Sequence, residues 1–229
     1  MIKLAPIFIA VIFGYVMSRV AAWRTARMLD EQSSRLDDPI LRVLVQRLAK
    51  AQGFPDLAVH VYENPMINGL AAPDGRVFVT RGFIDKYRMG KVSAEEILSV
   101  IAHELGHVAL GHSKRRMIDF TGQNALRVGL AMILGRFIPF VGVYIADFVA
   151  RAVGARLSRK DEYEADAYAA ALLTKAEIGT APQISLFEKL EALSPGAGPV
   201  SWLRSHPKTE DRVAAIQALS RKWNAPQKS

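Results

Sequence analysis

The stretch His103-Glu104-Leu105-Gly106-His107 constrains the fold of this chain more than any other part of the sequence. Two histidines four positions apart lie about one helical turn from each other, so both imidazoles can face one metal ion if the stretch is helical. The glutamate beside the first histidine can then face a metal-bound water, whose pKa Zn²⁺ lowers to roughly 7. The pattern therefore predicts a zinc site with its own general base, although a surface helix can carry two such histidines by chance.

The flanking residues predict the helix that this motif needs. Ser93 and Glu96 have the spacing of a capping box, in which each side chain accepts a backbone hydrogen bond at the start of a helix. Apolar residues then recur at helical spacing and form a predicted buried stripe: Ile97, Leu98, Ile101, Leu105 and Val108. Gly106 costs such an amphipathic helix roughly 1 kcal/mol relative to alanine. A glycine there also lets another element approach closely.

A zinc site of this kind needs a third protein ligand, and spacing narrows the candidates. A third histidine on the same segment requires a glycine at 110 and a histidine at 113, where this chain has Leu110 and Ser113. His112 lies about 140° around a continuing helix from the metal-facing side, so we expect it at the surface or behind a ligand. The remaining arrangement takes a glutamate from a second helix.

Residues 158–166, Ser-Arg-Lys-Asp-Glu-Tyr-Glu-Ala-Asp, predict the start of such a helix, which an alanine-rich run continues to Leu173. Glu162 and Asp166 are four positions apart and share one face, whereas Glu164 points elsewhere. The pair suits one carboxylate that binds the metal and another that orients a ligating imidazole. The alternative is a solvated acidic helix start that the helix dipole favours.

Three motifs in this order make the chain resemble the zinc metallopeptidases that include the heat-shock protease HtpX and the CaaX prenyl protease, within the gluzincin group. They are the 103–107 motif with His112 after it, the 158–166 stretch, and Ser205-His206-Pro207 followed by Arg212. The resemblance implies an α+β fold: a mainly helical zincin-like domain with a small β-sheet beside the helix of the first motif. It also implies protein or peptide substrates.

The resemblance also implies a role for each matching residue. The implied ligands of one Zn²⁺ per chain are His103, His107 and Glu162. Glu104 is implied as the catalytic base, and Asp166 as the carboxylate that supports a ligand histidine.

The third motif carries a less definite role. In the family, the histidine at the position of His206 is associated with the active site, where it stabilises the transition state or ligates the metal of a resting enzyme. An imidazole near the attacked carbonyl could hydrogen-bond the developing oxyanion; the alternative is a histidine that caps the loop before the last helix. Arg212 could pair with a carboxylate or with a substrate carbonyl, and the sequence does not choose between them.

Two short β-branched and aromatic runs at 58–62 and 76–80 predict strands, with turn residues such as Asn68-Gly69 between them. In related peptidases a sheet of this kind presents an edge strand that pairs with extended substrate, and main-chain hydrogen bonds supply the affinity. His60 lies within the first run without ligand spacing to the other histidines. We therefore expect it to be structural.

The N-terminal residues predict a membrane anchor at 1–27 that precedes a peptidase domain at 36–223. Residues 4–17 are mostly apolar, and the run reaches Trp23 if Arg19 snorkels, which is long enough for a transmembrane helix. A cleavable signal peptide is the main alternative, but no small-x-small cleavage site follows. The basic residues that follow the span exceed the positive charges before it by one, which favours a cytoplasmic catalytic domain at the cell membrane without excluding the opposite face.

A second apolar region at about 126–152 predicts a helical hairpin broken near Arg136–Pro139. A single membrane crossing here would separate the two halves of the zinc site. The hairpin is therefore expected in the membrane interface or as a lid over the site. Two short tilted crossings and an ordinary buried hairpin stay open as alternatives.

Composition narrows the class of function. There are no cysteines, so disulfide and thiolate chemistry are excluded, and the net charge of +8 suits an anionic membrane surface. Nucleic acid would also fit this charge, but no binding motif is present and no nucleic-acid partner is expected. The favoured function is a membrane-anchored zinc endopeptidase that acts on misfolded or membrane proteins, with the lipid bilayer as its other partner. The alternative is a catalytically silent scaffold, although a scaffold does not need Glu104. The sequence predicts no oligomeric state.

Overall fold

A computed structural model describes residues 5–72, 74–190 and 209–224. These residues form eight helices and four short strands. In chain order the elements are α1 (Ala5–Glu31), β1 (Ser33–Arg35), α2 (Pro39–Gln52), β2 (Val59–Tyr62), β3 (Gly69–Ala71), β4 (Val77–Thr80), α3 (Arg81–Arg88), α4 (Ala94–Ala109), α5 (His112–Phe137), α6 (Val141–Lys175), α7 (Ala181–Leu190) and α8 (Thr209–Asn224). A mainly helical chain with a small sheet is the α+β composition that the sequence predicts.

The chain divides into two compact units. Unit 1 combines residues 1–27 with 111–161, and unit 2 combines 28–110 with 162–229. The predicted division into an anchor at 1–27 and a domain at 36–223 stays a prediction.

Unit 1 consists of the first part of α1, helix α5 and the first part of α6. The Asn124 side chain on α5 donates a hydrogen bond to the Ala10 carbonyl oxygen on α1, at 2.9 Å. Helix α5 ends at Phe137 and α6 begins at Val141, so the chain reverses inside the predicted 126–152 hairpin. Gly142 makes this reversal possible, because a Cβ there would lie 2.6 Å from the Leu134 carbonyl carbon.

The predicted transmembrane helix at the N terminus is not supported by the structure. Helix α1 covers these residues, but it carries Arg19, Arg24 and Arg27 in its second half. Across the described ranges, no helix is both long enough and apolar enough to cross a membrane.

Unit 2 contains a four-stranded sheet in the order β1-β2-β4-β3. Strands β2 and β4 are parallel, whereas β1 and β3 pair antiparallel with them and form the two edges. All four residues of β4 are buried, because Val77 and Val79 face the main core while Phe78 packs with Leu29 and Ala72 on the opposite face. The end of α1 therefore covers the second face of the sheet.

The main core of unit 2 joins the sheet to helices α2, α4, α6 and α7. Its most deeply buried members are Leu41, Leu48, Val77, Val79, Ile97, Leu98, Ile101, Phe83 and Leu173. Helix α4 is buried along its whole length from Glu96 to His107, not only along the predicted apolar stripe. The prediction of an amphipathic helix is wrong in this respect, since packed elements surround the helix on every side.

The predicted capping box at the start of α4 is confirmed. The Ser93 side chain accepts a hydrogen bond from the Glu96 amide at 3.2 Å, and the Glu96 carboxylate accepts one from the Ser93 amide at 2.8 Å. The other Glu96 oxygen contacts Ser185 and Lys189 of α7, both at 2.6 Å. Glu96 therefore fixes the start of α4 and ties α7 to it.

Candidate active site

The site forms where α4 and α6 cross. At Gly106 a Cβ would lie 3.0 Å from both the Cα and the carbonyl oxygen of Ala165, so only a glycine lets the two helices approach this closely. The crossing brings the 103–107 motif against the turn of α6 that carries Glu162 and Asp166. The prediction that Gly106 admits a neighbouring element is confirmed.

Three buried side chains direct their donor atoms at one point. The Nε2 atoms of His103 and His107 are 3.1 Å apart. The two carboxylate oxygens of Glu162 lie 3.5 Å from the His103 Nε2 and 3.6 Å from the His107 Nε2. Each of these residues is at most 4% exposed. The structure therefore brings together the three residues that the sequence suggests as zinc ligands.

The spacing of these atoms fits a tetrahedral zinc ion. Metal–ligand distances of about 2.0–2.1 Å place neighbouring ligand atoms of such an ion roughly 3.3 Å apart. The two imidazole nitrogens are 3.1 Å apart, and each lies 3.5 or 3.6 Å from one of the two oxygens of Glu162, which is close to this value. Two imidazoles and one carboxylate also match the donor set of catalytic zinc sites, in which water takes the fourth position.

Asp166 contacts the ring nitrogen of His103 that faces away from His107 and Glu162. Its Oδ1 lies 2.9 Å from the Nδ1 of His103, which leaves the Nε2 of that ring directed at Glu162 and His107. A carboxylate in this place fixes the ring orientation and the tautomer of a metal-binding histidine. The structure thus places Asp166 where the sequence-based role requires it.

Arg212 of α8 balances the charge of Asp166. Its Nε and Nη2 atoms donate to the two carboxylate oxygens at 2.6 and 2.8 Å, and its Nη1 lies 3.6 Å from Glu162. The guanidinium is 1% exposed and sits 4.7 Å from the ring centre of Phe187. The sequence left a carboxylate and a substrate carbonyl as alternative partners for Arg212, and in the structure it pairs with the carboxylate.

These contacts shift the pKa values of His103 and Asp166. Burial alone would lower the pKa of His103, but hydrogen bonds with Asp166 and Glu162 outweigh burial and raise it to about 9. Burial favours a raised pKa for Asp166, yet hydrogen bonds from Arg212 and His103 hold it below the usual range.

Glu104 lies on the side of α4 that faces strand β3. A Cβ placed on Gly69 would lie 3.4 Å from both the Cγ and the Oε1 of Glu104. The Glu104 side chain is 3% exposed. The candidate base is thus buried beside an edge strand of the sheet.

The position of His112 in the structure differs from the predicted one. The expected rotation around a continuing helix assumed that α4 runs past Leu110, but α4 ends at Ala109 and Gly111 has a left-handed φ of 68°. His112 begins α5 instead and is fully buried, with its Nε2 3.8 Å from the Asp161 carboxylate. Arg115 pairs with the same carboxylate at 2.7 Å.

Two further histidines, His206 and His60, were assigned roles from the sequence. His206 and the rest of its motif up to residue 208 lie outside the described residues, so its role stays a prediction. His60 lies in β2 as expected, with its ring centre 5.2 Å from that of Phe78. Burial and the charges of Arg76 and Arg35 lower its pKa.

The sequence did not reveal the contribution of α7. The buried Gln183 donates a hydrogen bond from Nε2 to the backbone oxygen of Asp166 at 3.3 Å, and Phe187 packs under Arg212. Neither residue belongs to a motif, and no local pattern marks them. Their positions depend on how α7 packs against α4 and α6.

The amino-acid sequence was compared with known protein families. Residues 35–220 match Peptidase family M48. The chain belongs to Peptidase family M48. The match covers most of the chain and includes every predicted site residue, and the resemblance to HtpX-like zinc metallopeptidases is thereby confirmed.

Curated relatives of this M48 chain include two metalloproteases of Escherichia coli (strain K12). Metalloprotease LoiP is 32% identical over 157 residues, which are 69% of this chain and 60% of LoiP. Metalloprotease YcaL is 33% identical over 157 residues, which are 69% of this chain and 59% of YcaL. The chain thus spans about 60% of the length of these two relatives.

A third relative covers more of the chain. The protease HtpX homolog of Bordetella pertussis (strain Tohama I / ATCC BAA-589 / NCTC 13251) is 28% identical over 248 aligned residues, which include 92% of this chain and 82% of that protein. The matched family is thus a peptidase family, and the names of these three relatives describe proteases, two of them metalloproteases.

Proposed function

We propose that this chain is a membrane-associated zinc endopeptidase with protein or peptide substrates. The observation that carries the proposal is the tetrahedral spacing of the buried donor atoms of His103, His107 and Glu162, with a glutamate beside them. These three residues would hold the Zn²⁺. When bound, Zn²⁺ supplies a Lewis acid for the scissile carbonyl and lowers the pKa of a water.

The protein side chains supply the remaining steps. Glu104 accepts the proton of the attacking water and passes it to the leaving amine, as a general base and then a general acid. Asp166 keeps His103 in the tautomer that presents its Nε2, and Arg212 keeps Asp166 ionised. We assign His206 to oxyanion stabilisation on the family resemblance.

Strand β3 is the proposed binding site for the substrate backbone. It is an edge of the sheet and, within the described residues, pairs with β4 on one side only. An extended peptide can add to such an edge through main-chain hydrogen bonds, which tolerate varied sequences. A peptidase that clears misfolded proteins needs this tolerance.

Unit 1 supports membrane association by its composition and exposure. Its two segments contain thirteen Lys and Arg against three Asp and Glu, although the rest of the chain has more acidic than basic residues. Large apolar side chains are also exposed on it, among them Phe8, Phe13, Trp23, Phe137, Phe140, Tyr144 and Phe148. Exposed apolar area beside positive charge suits an anionic lipid surface. We propose the cytoplasmic face and a role in protein quality control.

Bound zinc and casein cleavage, measured for the wild type and Glu104→Gln, test the proposal. We expect one zinc per chain in both proteins and cleavage by the wild type alone, because the glutamine cannot accept a proton. Cleavage by Glu104→Gln would contradict the role of the base. Zinc in both proteins with cleavage in neither would favour the catalytically silent scaffold, and a wild type without zinc would refute the metal site.

A further inference from the structure

Gln183 in the first turn of α7 is a buried polar side chain that the proposed mechanism does not use. Its Nε2 donates a hydrogen bond to the backbone oxygen of Asp166 at 3.3 Å. Its Oε1 is also buried and, among the described residues, has no hydrogen-bond partner. A buried amide oxygen without a partner costs stability, so we expect this oxygen to meet a ligand in the folded protein.

A small cavity borders Gln183 and two residues of the candidate site, His103 and Asp166. Its volume is about 10 Å³, and its remaining walls are Ser99 and apolar side chains of α4 and α7. All of the lining residues are at most 4% exposed. A cavity of roughly this size holds one water molecule when polar groups line it, because the water can then make about two to four hydrogen bonds.

Ser99 supplies a second polar wall of this cavity. Its hydroxyl donates to the Glu96 carbonyl oxygen at 2.7 Å, so the Ser99 Oγ keeps lone pairs that can accept a hydrogen bond. One water in the cavity can donate one hydrogen to the Ser99 Oγ and the other to the Gln183 Oε1. Such a water would give the buried amide oxygen a partner.

Helix α7, which carries this amide, is tied to two neighbouring helices. The Glu96 carboxylate of α4 contacts Ser185 and Lys189, both at 2.6 Å. The Phe187 ring centre lies 4.7 Å from the guanidinium carbon of Arg212 on α8. These contacts fix the position of α7 and therefore of the glutamine in its first turn.

We propose that Gln183 is a positioning residue for the candidate zinc site. Its Nε2 fixes the turn of α6 that carries Asp166, and its Oε1 holds one buried water in the cavity beside His103. Asp166 in turn orients the His103 ring. Gln183 thus acts on the metal site of the peptidase function proposed above, on which this inference rests. Loss of the Gln183 amide should weaken zinc binding through Asp166.

Zinc affinity and crystal structures test the two contacts of Gln183. Zinc dissociation constants are measured by chelator competition for the wild type, Gln183→Met, Asp166→Asn and the double variant. Methionine has a similar length to glutamine but offers only a weak sulfur acceptor. Leu190→Met is the matched control, because Leu190 is fully buried in the same helix but does not line the cavity. Crystal structures of the wild type and Gln183→Met show whether a water occupies the cavity.

We expect Gln183→Met to raise the zinc dissociation constant about 3- to 10-fold, less than the loss expected for a residue that contacts a ligand histidine directly. Leu190→Met should leave it unchanged. In the Asp166→Asn background, Gln183→Met should change the constant less than about twofold, because Gln183 acts through Asp166. The wild-type crystal should contain one water in the cavity, and the Gln183→Met crystal none.

An unchanged zinc dissociation constant in Gln183→Met would overturn the proposal, and so would an equal loss with and without Asp166→Asn. A purely structural role would lower the urea midpoint of Gln183→Met without changing the zinc affinity of the folded protein. A wild-type cavity without water would overturn the proposed water site. If Gln183→Met does not fold, Ser99→Ala takes its place, since it removes the other proposed partner of the water. A wild type that binds no zinc would instead refute the proposed function.

Discussion

Asp166 contacts both His103, a proposed zinc ligand, and Arg212. Its Oδ1 lies 2.9 Å from the Nδ1 of His103, and its two oxygens accept hydrogen bonds from two nitrogens of Arg212 at 2.6 and 2.8 Å. The side chains of His103, Asp166 and Arg212 can all be buried because each ionisable group contacts a partner of opposite charge or a hydrogen-bonding atom. Removal of one member would leave its partners buried without compensation.

We predict that Asp166→Asn lowers zinc affinity about 10- to 100-fold, because the amide cannot compensate the charge of Arg212 or favour the required tautomer of His103. Competition with a chelator at neutral pH measures the effect. Asp211→Asn is the matched control, since Asp211 neighbours Arg212 in the sequence but is exposed. Equal zinc affinity of Asp166→Asn and the wild type would contradict the assigned role.

At the scale of elements, the contact between α4 and α6 determines the geometry of the proposed metal site. Gly106 and Ala165 bring the two backbones together directly below the ligands. A change in the separation of the helices would move Glu162 relative to both histidines.

We expect Gly106→Ala to destabilise the protein by about 1–3 kcal/mol and to weaken zinc binding, even though alanine is the better helix former by roughly 1 kcal/mol. The added Cβ would lie 3.0 Å from the backbone of Ala165, which cannot rotate away. Urea unfolding with and without zinc measures both effects. A Gly106→Ala protein that is more stable than the wild type would show that the helices can separate without cost.

Glu96 should make the packing of α7 on α4 dependent on pH. Burial favours a raised pKa for Glu96, but hydrogen bonds with Lys189, Ser185 and the Ser93 amide lower it. A carboxylate with a lowered pKa in the folded state stabilises the protein above its unfolded pKa of about 4.3. This contribution is lost as the pH falls through the folded-state value.

Glu96→Gln should therefore lower the free energy of unfolding by about 2 kcal/mol at pH 7, and the difference from the wild type should shrink below about pH 4. Urea unfolding between pH 3 and 7 gives both curves. Glu95→Gln is the control, because it removes a charge from the same helical turn without the contacts to α7. If the difference in unfolding free energy between Glu96→Gln and the wild type is constant with pH, the charge of the Glu96 carboxylate does not contribute to stability.

Local patterns explain why much of this site was predictable. The capping box and the 103–107 motif identify α4 and its two histidines, and the i, i+4 spacing identifies the face shared by Glu162 and Asp166. The end of α4 was missed because a helix was extended through Gly111, whose positive φ stops it. Gln183 and Phe187 were missed because long-range packing, not local sequence, places them at the site.

At the scale of the whole molecule, the net positive charge and most of the exposed large apolar side chains of the described residues lie in unit 1. Phe137 and Phe140 lie next to the reversal between α5 and α6 and are 74% and 89% exposed. Burial of one such side chain in lipid is worth about 1.5–3 kcal/mol. The basic residues of the same unit would add electrostatic attraction that salt weakens.

We predict that the protein sediments with phosphatidylserine-containing vesicles and that added salt reduces the bound fraction. The double variant Phe137→Asp/Phe140→Asp should bind at least about tenfold more weakly. Met89→Asp is the control, because Met89 is 65% exposed but belongs to unit 2. Equal vesicle binding by the double variant and the wild type would show that Phe137 and Phe140 do not contact the membrane.

The position of Arg212 along the chain affects the order in which the site is completed during synthesis. Arg212 follows Asp166 by 46 positions, which take roughly 2–9 s to translate at typical rates. During that interval a nascent chain already contains both histidines, Glu162 and Asp166, but lacks the cation that compensates the two carboxylates. Arg212 is therefore synthesised after the four residues of the candidate metal site, and its ion pairs with Asp166 and Glu162 form only after α8 has folded onto them.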